Sequence, residues 1–156
     1  MMQRREFLRT ALGGLVIVGA GLPGCSKASG WPEGMAEIKW DRDTCARCSM
    51  VISDRRFAAE LRGGDKATVF KFDDVGCAVF WMRDKTKDYP WLAEPATRFW
   101  VADATGKGDK WLEARQAHYG SGAMSPMGYN FSARAYAEAG SLDFAAMAAH
   151  VLAKGK

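Results

Sequence analysis

Cys45-Ala46-Arg47-Cys48-Ser49-Met50 places two thiols and a thioether within six residues. Soft sulfur donors select soft metals, and cysteine combined with methionine favours Cu(I). The CxxC spacing alone admits three chemistries: a redox-active disulfide, a structural disulfide, or metal ligation. The redox reading prefers a pair that opens a helix after a strand, and Val51-Ile52-Ser53-Asp54 is a poor helix start. Zinc asks for further Cys or His ligands at regular spacing. Cys77, His118 and His150 are scattered instead. Met50 tips the balance toward Cu(I), because it follows Cys48 by two residues and can share its side of an extended or looped segment. The competing role for Met50 is as a core residue beside Val51 and Ile52.

A second sulfur group is Met124-Ser125-Pro126-Met127-Gly128. Pro126 and Gly128 mark a loop rather than an apolar helical face, so Met124 and Met127 are candidate ligands, although methionine also fills irregular gaps in cores. His118 lies upstream of this loop and is a further candidate, as ligand or proton-linked gate. His150 falls on an apolar helical pattern and is not expected to bind. Cys77 reads as a small buried hydrophobe inside a helix. Asp73 and Asp74 read as capping carboxylates at that helix's start rather than as an acid/base pair. Six tryptophans spread along the chain read as core residues and surface anchors, not as a stacking platform for bases.

The first 24 residues read as export sequence. Arg4-Arg5-Glu6-Phe7-Leu8 has the form of a twin-arginine signal, followed by an apolar run from Ala11 to Leu22 that is short for a membrane span. The run ends Leu22-Pro23-Gly24-Cys25, which has the form of a lipobox, with Cys25 as the lipidated first residue of the mature chain. An ordinary signal peptide with a coincidental Cys is the alternative. Residues 25–34 then form a small, polar tether, and the protein is expected in the periplasm, anchored to a membrane by lipid. Loss of the leader lowers the formal net charge of +4 by two, and no Lys/Arg cluster remains to suggest nucleic acid.

Glu37–Trp40 alternates and predicts a first strand. Phe57–Leu61 is a short extended candidate, and Ala67–Phe72 is a clear strand. Asp73-Asp74 opens a helix that runs to about Asp84, and residues 85–96 read as loop. Thr97–Ala102 is a second clear strand. Residues 111–114, 117–121 and 129–133 are shorter candidates, and a closing helix with Ser141 as N-cap covers about 142–152. Strands mixed with two separated helices predict an α+β fold. The order strand, strand, helix recurs, which suggests two small related subdomains, 35–94 and 95–156, each with a few antiparallel strands and one helix.

The lipoprotein signal, CxxCxM, Phe70-Lys71-Phe72-Asp73-Asp74-Val75-Gly76 and the late Ser-Pro-Met-Gly together resemble the NosL family, the nitrous-oxide-reductase accessory lipoproteins and copper chaperones. The resemblance covers nearly the whole mature chain, in order. It implies a monomeric periplasmic Cu(I) carrier built from two related α+β units, similar to part of organomercurial lyase. Ligation carries over to Cys48 and Met50, then to Met127. Cys45 matches the first motif cysteine, and His118 is a looser match. The implied partners are a copper-delivering ABC-type assembly machinery and the apo form of nitrous oxide reductase. Ser49 stands where the family often has Gly, and the twin-arginine leader stands where many relatives use the general secretory route.

The leading expectation is therefore a metal-transfer protein that is not an enzyme. A thiol-disulfide oxidoreductase using Cys45 and Cys48 is the alternative, and it requires a reactive low-pKa thiol. A lyase-like enzyme is a third reading, for which the linear sequence presents no acid–thiol pair.

Overall fold

The computed structural model describes residues 30–155, so the twin-arginine leader, Cys25 and the first half of the tether lie outside the described residues. β1 (Ala59–Gly63) and β2 (Thr68–Phe72) form a hairpin across the Gly64-containing turn. α1 (Val75–Lys85) follows directly, then a single 3-10 turn at Pro90–Ala93. β3 (Arg98–Ala102) and β4 (Trp111–Glu113) join β1 and β2 in an antiparallel sheet of order β2-β1-β3-β4. β5 (His118–Ser121) and β6 (Phe131–Arg134) form a separate hairpin, and α2 (Phe144–Ala153) closes the fold. The expected α+β class is the one observed, with α1 packed on the larger sheet and α2 against the hairpin. The four-stranded sheet draws its strands from both sides of residue 94.

Alternation along the strands sends residues to two faces. Ala59, Leu61, Phe72, Phe99 and Val101 point to the α1 side and form one core with Val75, Cys77, Ala78, Val79, Phe80, Met147 and Val151. The opposite face carries Trp100 and, with Ala58, buries Met35, Ile38 and Ile52, rimmed by Trp31, Trp40 and Trp111. The stretch Glu37–Trp40, expected as a strand, is not one. It lies across this second face, with Ile38 buried, and the backbone from Gly34 to Glu37 is served by side chains from the sheet. Lys71 Nζ donates to the Glu37 carbonyl, Arg62 donates to the Gly34 carbonyl, and the Ala36 N–H donates to Glu60 Oε1 at 2.8 Å. These contacts satisfy the backbone without a ladder, so the period-2 pattern reports burial of one face rather than pairing.

Glu60 sits in mid-β1, fully buried, and its Oε2 has no hydrogen-bond partner among the described residues. Burial pushes its carboxyl up to about 7 from an ordinary value of 4.5, against the Ala36 hydrogen bond and the nearby Lys71 charge. A raised carboxyl pKa means that stability is fully present below the unfolded value and is lost as pH rises through the folded value. The shift corresponds to about 3 kcal/mol between those limits. The stability that the wild type holds over Glu60→Gln, which keeps the acceptor for Ala36, is therefore expected to shrink from pH 5 to pH 8 in thermal unfolding. A difference that stays constant over that range would remove Glu60 as a titrating group.

The closing helix is capped by Asp143, whose carboxylate accepts from the Ala146 N–H at 2.8 Å, not by Ser141 as expected. The Ser141 hydroxyl instead accepts from the Glu138 N–H. Among the described residues, no helix is long and apolar enough to cross a membrane.

Candidate metal centre

The Cys loop is a closed turn. The Cys45 N–H donates to the Met50 carbonyl at 2.8 Å, the Ser49 N–H donates to the Cys45 carbonyl at 2.9 Å, and Thr44 and Val51 bridge its base. The Ala46 N–H donates to the Lys71 carbonyl at 2.8 Å, which pins the loop to β2 just before Asp73. Ser49 adopts φ +62°, a left-handed conformation that favours glycine. Ser49→Gly is expected to stabilise the fold by about 0.5–1 kcal/mol, the strain relieved less the added freedom of the unfolded chain. Chemical denaturation measures this, and a loss of stability would mean that the hydroxyl matters more than the backbone.

Directly after β2, Asp73 and the first turn of α1 complete the constellation. One ligand atom each from Cys45, Cys48, Asp73 and Cys77 lies within 4.8 Å of the others, the only such His/Cys/Asp/Glu group among the described residues. Cys45, Asp73 and Cys77 are buried, while Cys48 is half-buried and forms the open side. Cys48 Sγ donates to the Asp73 carboxylate at 3.5 Å. Cys77 occupies the third residue of α1, where the helix N-terminus favours thiolate charge.

The electrostatics follow from crowding. A hydrogen bond from Cys77 holds the Cys45 thiol down at about 4, against the opposing effect of burial. That same bond to Cys45, followed by burial, drives Cys77 far up. Burial, with the neighbouring Cys45 and Asp73 charges, pushes Cys48 to about 12. Burial and Cys45 raise Asp73 to about 6. Negative charge therefore settles first on Cys45, and the remaining thiols stay protonated until a cation arrives to replace their protons.

The second methionine loop is tied to the same place through Asp74. This residue, not Asp73, is the N-cap of α1, accepting from the Gly76 N–H at 2.9 Å. Its other oxygen accepts from the Ser125 hydroxyl at 2.6 Å and from the Met127 N–H at 3.3 Å. Asn130 closes the loop: its side chain accepts from the Ser125 N–H, and its N–H donates to Ser125 Oγ. Tyr129 packs its ring on Gly76, where an added Cβ would lie 2.2 Å from the ring, and its hydroxyl accepts from Arg47 of the Cys loop at 3.1 Å. The Ser-Pro-Met-Gly loop and the Cys loop are thus joined at the N-terminus of α1, and Met127 is partly buried against the core that holds Cys45 and Cys77.

Of the sequence candidates, Cys45 and Cys48 are brought together, and Met127 is partly buried against the core that includes Cys45, its N–H bonded to Asp74. Met50 is 48% exposed at the end of the Cys loop, and Met124 is 83% exposed on the outside of its loop. His118 lies in β5 opposite Arg134, and it is not a member of the four-residue group. Two members were not expected. Cys77 is buried as a small hydrophobe would be, but its thiol joins the cluster, and Asp73 supplies a carboxylate to it. The reason for setting zinc aside, a lack of further ligands near CxxC, therefore does not hold, and neither does the absence of an acid–thiol pair. The available signal was Asp73-x-x-x-Cys77, one helical turn apart immediately after a strand.

The fold is similar to the crystal structure of the copper chaperone NosL from Shewanella denitrificans, with a TM-score of 0.55 and 18% sequence identity over 74% of this chain and 87% of that one. At this identity the likeness is one of fold. No protein-family model and no curated protein matches the sequence.

Proposed function

We propose that this chain is an exported Cu(I) carrier rather than an enzyme, holding the ion at the cluster of Cys45, Cys48 and Cys77 and passing it on through the half-buried Cys48 side. The observation that carries this reading is three thiols and a carboxylate converging within 4.8 Å, next to the Asp74 N-cap to which the Met127 loop is bonded. Thiolates are the preferred ligands of Cu(I), and Met127 and Met50 offer thioethers as the ion enters or leaves. The family resemblance and the fold shared with a copper chaperone support the same reading. They extend it to a monomeric, lipid-anchored periplasmic protein, exported by the twin-arginine route, that receives copper from an ABC-type assembly machinery. Apo nitrous oxide reductase is then the client.

One observation favours a second metal. Cu(I) has little use for a carboxylate, whereas Asp73 completes a four-donor set of the kind that closes a tetrahedral Zn(II) site. In that arrangement the divalent ion supports the loop, and Cu(I) binds at the methionine side. The oxidoreductase alternative is disfavoured by accessibility: Cys45, the low-pKa thiol, is only 2% exposed, and the more open Cys48 has the raised pKa.

Anaerobic titration of the reduced mature protein, competed against a chromophoric Cu(I) chelator, tests the carrier reading. One tight equivalent, weakened by Cys48→Ala and by Met127→Ala, is expected. Repeating the titration with Zn(II) bound separates the two arrangements: zinc competes with copper if they share the thiols and leaves copper binding intact if they do not. Failure of Cys48→Ala to weaken Cu(I) binding would end the reading in which the thiols carry the copper.

A further inference from the structure

The face of the four-stranded sheet opposite α1 ends in three indoles. Trp31 and Trp111 have ring centroids 5.2 Å apart, Trp31 and Trp40 6.2 Å, and Trp40 and Trp111 6.4 Å. All three are partly exposed, and they rim the smaller core of Met35, Ile38, Ile52, Ala58 and Trp100. Arg55 lies over the Trp40 ring at 5.1 Å. The loop carrying Lys107 and Lys110 folds against the same place, since a Cβ at Gly108 would meet Arg55 at 2.9 Å and Trp40 at 3.0 Å. Arg55, Lys107 and Lys110 are exposed, and none forms a salt bridge among the described residues. Asp109 is the acid between the two lysines.

We propose that the Trp31–Trp40–Trp111 patch, with its rim of Arg55, Lys107 and Lys110, seats the domain on an anionic phospholipid surface. Clustered indoles beside cations suit the boundary between headgroups and acyl chains, where an apolar ring and a polar edge are both satisfied; Trp111 contributes its ring alone, since its N–H is buried. The cations supply attraction to negative headgroups. The chain leading to the patch fits this occupant. Trp31 follows Cys25 by six residues, a reach of roughly 20 Å at full extension. A lipid on Cys25 would thus hold the patch at the membrane at high effective concentration. Cys45 and Cys77 belong to the core on the other side of the sheet, so the buried thiols of the cluster lie across the sheet from the seated face. The patch does not depend on which metal the cluster takes.

Tryptophan fluorescence of the mature protein in vesicles of phosphatidylglycerol brominated high on the acyl chains tests this directly. Quenching relative to unbrominated vesicles is expected. Trp31→Phe combined with Trp40→Phe is expected to remove about half or more of the quenched signal, because these rings approach the lipid. Trp91→Phe, whose ring stacks on Phe70 on the α1 side, is expected to leave the quenching intact. Phosphatidylcholine vesicles are expected to quench less. No quenching, quenching that survives the double change, or equal quenching with both lipids would overturn the proposal.

Discussion

Replacing Cys77 by alanine is expected to weaken Cu(I) binding by about a hundredfold or more. The magnitude is scaled from four-ligand structural zinc sites, where roughly 10–16 kcal/mol is shared among the ligands, about 3 kcal/mol each. Cys77 lies in the first turn of α1 with its thiol inside the cluster, so its loss removes a ligand rather than a contact. A merely hydrophobic Cys77 would give a different result: alanine would cost a small cavity and a lower melting temperature, with the affinity intact. Chelator competition and thermal unfolding on the same variant separate the two roles. The pH dependence gives a second signature. Cys48 is raised to about 12 and Cys77 is raised as well, so both bind protons at neutral pH and must release them to the metal. Cu(I) affinity is therefore expected to rise with pH by about tenfold per unit for each thiol proton displaced. An affinity that does not change between pH 6 and pH 8 would show that both thiols keep their protons in the metal-bound state.

The strands and helices with strong local signals are legible from the chain: Ala67–Phe72 against β2, Thr97–Ala102 against β3, and the helix opened by Asp73-Asp74 and running to about Asp84 against α1. Glu37–Trp40 alternates without being a strand because alternation records which side chains are buried, and here Lys71 holds the Glu37 carbonyl while Glu60 and Arg62 hold the backbone just before it, in place of a neighbouring strand. The same limit applies to the site. CxxC announces itself because its ligands are adjacent in sequence. Cys77 and Asp73 reach the cluster only because the Cys loop is pinned to the Lys71 carbonyl at the end of β2, a register that linear spacing does not encode. Asp73 and Asp74 are neighbours with similar side chains, yet one faces the thiols and the other caps the helix, because successive residues at a strand-to-helix junction point in different directions.

Asp74→Ala is expected to cost about 2–4 kcal/mol of folding stability and to loosen Met127 from the metal centre at the same time. The loss combines a helix N-cap, near 1 kcal/mol, with charge-assisted hydrogen bonds to Ser125 and the Met127 amide, offset in part by release of a buried carboxylate. Burial already raises the Asp74 carboxyl against those bonds, so Asp74→Asn tests charge separately from geometry. The amide can still accept from Gly76 and is expected to retain the larger part of the stability. Urea denaturation of the two variants measures the difference. The consequence for the site is read by a double-mutant cycle with Met127→Ala in Cu(I) competition. If Asp74 acts by holding the Ser-Pro-Met-Gly loop against the N-terminus of α1, the affinity losses of Asp74→Ala and Met127→Ala should overlap, and the double variant should bind about as well as the weaker single one. Additive losses would mean that Met127 reaches the ion without Asp74. The two sulfur loops would then meet through Tyr129, packed on Gly76 and bonded to Arg47, and not through the carboxylate.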